Sequence, residues 1–156
     1  LVDLLNRLDA GTLAIAPTRI DVADLLTDLR VRHLTSDTQA GTDLVARTYA
    51  DARPLTVDAV VLRGVLDELV SNALEASCPG ERVTVRHVRD PHATSFTIHN
   101  PAVMDQATRI RVFERRPSAK GAGRGTGTHA ARRLVEHHLG GHLRFGSNAE
   151  HGTVFV

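Results

Sequence analysis

The chain has no tryptophan, one tyrosine and four phenylalanines. Its formal net charge is only +1, from 19 basic and 18 acidic side chains. A nucleic-acid surface would carry clustered positive charge and aromatic stacking platforms, so neither nucleic acid nor a membrane surface is expected as a partner. A single cysteine, Cys78, excludes an internal disulfide and a cysteine-cluster zinc site, and a reducing cytosol fits. No apolar run of about eighteen residues and no signal-like N-terminus occur, so a cytoplasmic domain is expected, with any inner-membrane anchor placed elsewhere in a parent protein. Despite nine histidines, HExxH is missing. The closest cluster, Glu136, His137 and His138, sets neighbours about 100° apart on a helix, where they cannot all face one ion. Solvated or partly buried histidines are the expectation.

What is present is ordinary for a folded domain. With 156 residues, 42% hydrophobic and 24% charged, the chain can bury one real core. Leu1, Leu4, Leu5 and Leu8 recur at helical spacing up to Gly11, so a helix is expected over residues 1–10. It starts on an apolar residue without a cap, as a piece of a longer protein would. Residues 12–21 look extended, and Asp21 is placed to cap a helix over 22–34 with Val22, Leu25, Leu26 and Leu29 on one face. Residues 43–50 read as a strand. Residues 56–77 form the strongest helical pattern, with Asp58 as cap and Leu62, Leu66, Leu69 and Ala73 as core stripe. Residues 82–88 and 94–100 alternate as strands. A polar segment fills 101–126, a helix runs to about His138, and residues 142–147 and 152–156 close as two strands. Neighbouring strands that read as hairpins among helices favour an α+β, two-layer sandwich over a doubly wound sheet.

Two local features point to chemistry. In "KGAGRGTGTHAARRLVEHHLGG", residues 120–141, Gly121, Gly123, Gly125 and Gly127 stand at every second position before a helical pattern, with Lys120 at the edge and Arg124 inside. Glycine lets a backbone approach a ligand closely, and a helix N-terminus presents unpaired N–H groups to anions, so a phosphate fits. A ligand-free surface loop is the other reading. GxxxxGK[ST] is absent, and the GxGxxG/A match at Gly125, Gly127 and Ala130 lacks the buried strand it needs before it.

The second feature lies on the long helix, where Val61, Val65, Glu68, Asn72 and Ala76 form one column at the edge of the core stripe. Glu68 and Asn72, four residues apart, have neighbouring heads. They are either an exposed polar pair on a wide helix or an oxygen site for a hydrated Mg²⁺, with Asn72 giving its carbonyl oxygen and Glu68 orienting water or accepting a proton.

Taken together, "DELVSNALEAS", "RVFER", "GRGTGTHAARRLVE" and "HGTVFV" resemble, in chain order, the N-box, the phenylalanine box, the second glycine box and the last glycine-threonine box of the GHKL ATPases, in their sensor histidine kinase branch. "LLNRLDAGTLAIAPTRIDVADLL" resembles the end of a dimerisation helix and its linker. The resemblance implies a GHKL (Bergerat) α/β sandwich, with a mostly antiparallel sheet covered on one face by helices. Residues 1–11 would end the dimerisation helix, and 12–156 would be the catalytic ATP-binding domain. It further implies that Asn72 ligates Mg²⁺, that Glu68 acts in catalysis, and that Gly123, Gly125 and Gly127, with Thr126 and Thr128, hold the ATP phosphates. Lys120 and Arg124 are candidates for phosphate contacts, Lys120 also for catalysis, and Thr153 would support adenine recognition.

One box departs from the family. Where Asp-x-Gly-x-Gly is usual, the chain has "HNPAVM", residues 99–104, which aligns Asn100 with the adenine-reading aspartate and Ala102 with the first glycine. Asn100 still offers a carbonyl acceptor. Ala102 is harder to accommodate if that position needs positive φ. Two function classes follow. One is the catalytic domain of a sensor histidine kinase that passes the γ-phosphoryl of Mg-ATP to a histidine on an adjacent dimerisation domain, for relay to a response regulator. The other is a degenerate or anti-sigma-type GHKL module acting through protein contacts. The family's His-Glu/Asp-x-x-x-Pro phosphoacceptor pattern is absent from the chain.

Overall fold

The computed structural model describes residues 1–34, 41–49, 53–115 and 126–156. The start of helix α1 (Val2–Asp9) lies against the longest of the described helices, α3 (Ala59–Ala76), and α1 packs on α5 (Gly127–His137). Gly64 of α3 makes the first contact possible, because a Cβ there would lie 3.2 Å from a methyl of Leu1. Asp9 at the end of α1 is bridged by Arg133 of α5 at 3.2 Å. Strand β1 (Pro17–Ile20) pairs antiparallel with β3 (Leu55–Asp58) as a small separate sheet. Helix α2 (Val22–Leu34) follows Asp21, whose Oδ1 accepts from the Ala23 N–H at 2.7 Å.

The main sheet has the order β2 (Asp43–Thr48), β4 (Arg82–Arg89), β5 (Thr94–Asn100), β7 (Gly152–Phe155), β6 (Phe145–Asn148). β2 and β4 run parallel and the remaining pairs antiparallel. Alternation decides the faces: Leu44, Val83, Val85, Ile98 and Phe155 point into the core, where Leu25, Leu29, Leu62, Leu66, Leu69 and Leu134 of the helices meet them. On the opposite face Arg47, Arg82 and Arg86 are exposed, and Arg86 stacks over the Tyr49 ring. This is the two-layer α/β sandwich with a mostly antiparallel sheet. No helix among the described residues is long and apolar enough to cross a membrane.

Three boundaries differ from the sequence reading. Residues 56–58 belong to strand β3 and not to the long helix, because Leu55–Asp58 finds a distant partner in β1 that local periodicity does not reveal. A six-residue helix, α4 (Gln106–Arg111), stands inside the polar segment, capped by Asp105, whose carboxylate accepts from the Thr108 N–H at 2.7 Å. The strand expected over 142–147 begins only at Phe145, since Leu143 turns inward to the core. The histidines also differ: His87 and His138 are buried, at 3% and 9% exposure. His87 Nδ1 pairs with Thr48 Oγ1 at 2.8 Å, and His138 Nε2 with Asp58 Oδ2 at 2.9 Å.

Candidate functional site

Asp58 ends β3 and caps α3, accepting from the N–H groups of Val61 and Ala16, each at 3.2 Å, as well as from His138. Burial pushes its carboxyl up, but these hydrogen bonds outweigh burial and hold it below the ordinary carboxylate range. The Asp58 carboxylate is thus matched by three donors.

The other half of α3 borders a cavity of about 460 Å³ between α3, α4, the start of α5 and the ends of β5 and β7. Asn72, Asn100, Ala102, Thr128 and Thr153 all line it. Asn100 is the last residue of β5 and only 3% exposed. Its Nδ2 has no hydrogen-bond partner among the described residues, which is costly for a buried donor unless something else satisfies it. The strand can end this way because Gly152, at φ 66°, lies against it: a Cβ there would collide with the Asn100 carbonyl and come within 2.8 Å of Pro101.

Ala102 needs no left-handed backbone, since no non-glycine residue among those described has positive φ. The concern that alanine could not take this position is thereby removed. Its place is fixed by a relay. The Met104 N–H donates to Ser147 Oγ at 2.9 Å, and Thr153 Oγ1 donates to the Ala102 carbonyl at 2.7 Å. Ser147 and Thr153 hydroxyls are 2.8 Å apart, and because the proton of Thr153 is committed to Ala102, Ser147 is the donor between them. Thr153 thus positions the loop after β5.

Glu68 and Asn72 are half-buried and bonded to each other, Asn72 Nδ2 donating to Glu68 Oε1 at 3.1 Å. That bond turns the amide so that Asn72 Oδ1 is left to accept from, or ligate, something else. The Glu68 carboxylate lies over the Cα of Gly127, where any Cβ would overlap it. Gly127 therefore serves close approach and not positive φ, and the carboxylate sits at a helix N-terminus, where the dipole favours negative charge. Glu68 itself does not line the cavity.

The first turn of α5 is tied to the end of α4. Thr128 Oγ1 donates to the Val112 carbonyl, and His129 Nδ1 bonds the Phe113 carbonyl at 3.0 Å. Phe113 packs edge-on against Phe145 and Phe155, and Arg132 lies over its ring at 4.8 Å. Arg111 adds a guanidinium to the cavity wall. Neither Arg111 nor Ser147 was singled out from the sequence. Arg111 opens "RVFER", so position in that box was the available signal; Ser147 had none, since its role depends on pairing with Thr153 across the sheet. Thr126 stands at the N-cap of α5. Lys120, Gly123, Arg124 and Gly125 lie outside the described residues. Among those described, no group of three or more His, Cys, Asp or Glu comes together to hold a metal ion. A hydrated Mg²⁺ needs no such group, since it keeps waters and takes one or two protein oxygens.

Residues 57–156 match the family described as histidine kinase-, DNA gyrase B-, and HSP90-like ATPase. The sensor protein DivL of Caulobacter vibrioides is 29% identical over 151 residues, 96% of this chain and 20% of DivL. The chain thus spans about a fifth of the length of that relative. Among solved structures, full-length ShkA in complex with AMPPNP is similar with a TM-score of 0.80 at 21% identity, over 99% of this chain and 33% of that one. The catalytic domain of the histidine kinase ThkA gives 0.77 at 20% identity, over 90% and 92%. ThkA in complex with the response regulator TrrA gives 0.74 at 16%, over 99% and 45%. Likeness at these identities establishes the fold, and the family match supplies the rest: the chain belongs to the histidine kinase-, DNA gyrase B- and HSP90-like ATPases.

Proposed function

We propose that this chain is the ATP-binding catalytic domain of a two-component sensor histidine kinase. It transfers the γ-phosphoryl group of ATP to a histidine on an adjacent dimerisation domain, for relay to a response regulator. The observation that carries this reading is the convergence of Asn72, Asn100 and Thr128, from three separate elements, on one cavity whose buried Asn100 amide has no partner among the described residues. In this reading residues 1–11 end the dimerisation helix of a homodimeric parent, 12–156 form the catalytic domain, and the domain works in the cytoplasm.

The residues fit a magnesium ion, because Asn72 Oδ1 is an oxygen ligand freed by the bond of its own Nδ2 to Glu68. Bound Mg²⁺ supplies neutralisation of phosphate charge. Asn72 holds the metal-side end of the nucleotide. Glu68 orients the acceptor or takes its proton. The N–H groups at Gly123, Gly125 and Gly127 and the dipole of α5, beside Thr126 and Thr128, receive the phosphates, with Lys120, Arg124 and Arg111 adding positive charge. Asn100 reads the base from a loop that Thr153 and Ala102 hold in place.

The test is incubation with radiolabelled ATP and magnesium, with the chain alone and with a separately made dimerisation domain of its parent. Label is expected on the added domain only. No transfer to that domain, or label on the isolated chain, overturns the reading.

A further inference from the structure

We infer that the cavity takes guanine as well as adenine nucleotides, because Asn100 presents to the base an amide that no described residue orients. The inference rests on the nucleotide reading above and deepens it.

The hydrogen bonds described above give the cavity two distinct ends. Asn72, through Glu68, adjoins Gly127 at the start of α5, and Arg111 precedes Val112, whose carbonyl Thr128 holds. That end combines a helix N-terminus, a guanidinium and an amide oxygen, which suits phosphates. The opposite end is formed by Asn100 with the relay of Met104, Ser147, Thr153 and Ala102. Ala73 and Ala76 of α3, Met104 and Phe155 also line the cavity and give it apolar wall for a flat ring. The base therefore lies at the Asn100 end.

A carboxylate in this place could only accept, and would select the exocyclic amine of adenine against the carbonyl of guanine. A primary amide both accepts and donates. Its selectivity depends on what fixes its rotation about χ2, and the described residues make no hydrogen bond to either side-chain atom of Asn100. With its carbonyl toward the ring, Asn100 accepts from a 6-amine. Turned over, its buried Nδ2, now without a partner, donates to a 6-carbonyl. Either base satisfies the residue, whereas a purine with only hydrogen at position six keeps its N1 acceptor but offers neither the amine nor the carbonyl, one hydrogen bond fewer.

Calorimetric titration of the chain with ATP, GTP, ITP and purine riboside triphosphate, each with magnesium, tests this. The first three are expected to bind within about tenfold of one another, and the last about tenfold more weakly, the effect of one lost hydrogen bond. In Asn100→Asp, with folding checked by circular dichroism, ATP should bind about fivefold tighter and GTP at least about tenfold weaker. If the variant does not fold, the wild-type series decides. Binding of ATP with GTP more than about a hundredfold weaker, a difference of about 2.7 kcal/mol, overturns this inference alone. Binding of the unsubstituted purine as tightly as ATP also overturns this inference alone. Absence of binding by any of the four overturns the nucleotide reading with it.

Discussion

The two halves of α3 treat buried polarity in opposite ways. At the N-terminal end, Asp58 is 6% exposed and receives three donors, from Ala16, Val61 and His138. Toward the other end, Glu68 and Asn72 have chiefly each other, and Asn100 opposite them holds a buried amide without a partner among the described residues. A satisfied buried cluster raises stability and leaves nothing for a ligand. An unsatisfied one costs stability until something binds. In the proposed reading, the difference marks off the polar groups of this helix that serve the fold from those that await a substrate.

Mutations at the two ends should break the comparison cleanly. The largest effect is expected from Asn72→Ala, which removes the one free amide oxygen beside Glu68. Magnesium-dependent ATP affinity should fall at least about a hundredfold, roughly 2.7 kcal/mol, while urea unfolding changes by less than about 1 kcal/mol. Equal affinity in both proteins would return Glu68 and Asn72 to an ordinary polar pair. The mirror-image variant, Asp58→Ala, strips a cap and leaves three donors facing one another. It should cost about 2–3 kcal/mol in urea unfolding and leave ATP affinity in the remaining folded protein unchanged.

The same end should also respond to acid. A carboxyl held below its ordinary value contributes stability that is complete above the unfolded-state value of about 3.9 and is lost as pH falls through the lower folded value. The stability advantage of wild type over Asp58→Asn should therefore shrink only below about pH 4. An advantage lost between pH 5 and 8 would assign the titration to another group. The smallest effect is expected from Gly127→Ala, where the new methyl meets only the far end of the Glu68 side chain. Glu68 must swing away from Asn72, so unfolding changes by less than about 1 kcal/mol while phosphoryl transfer to an added dimerisation domain slows. An unchanged transfer rate would separate Glu68 from the chemistry.

Much of this was legible beforehand, for physical reasons that differ by element. The helices α2 and α3 announced themselves because their buried leucines and valines recur with the helical period, α5 through Ala130, Ala131 and Leu134, and β4 because Val83, Val85 and His87 alternate with exposed or half-buried residues. β3 was hidden, as four residues ahead of a strong helix carry too little local signal to show partners that lie from 35 residues away, for Ile20 and Leu55, to 41, for Pro17 and Asp58. Asn72, Asn100, Thr128 and Thr153 could be nominated from boxes in chain order, and they do line one cavity. Asp58 was legible as a cap but not as the acceptor for His138, 80 residues on. Gly127 was nominated for the approach of its backbone to phosphate; that it also leaves space for the Glu68 carboxylate is something no one-dimensional pattern contains.

The relay from Met104 through Ser147 and Thr153 to Ala102 has a consequence for how this sequence can drift. Its three hydrogen bonds share two hydroxyls, so loss of either hydroxyl strands the other, and the energies of two such changes do not add. The first substitution in a lineage therefore carries most of the penalty, and the second follows almost freely. Ser147 and Thr153 should persist together or vanish together, a single heritable unit written at two positions facing each other across the hairpin of β6 and β7.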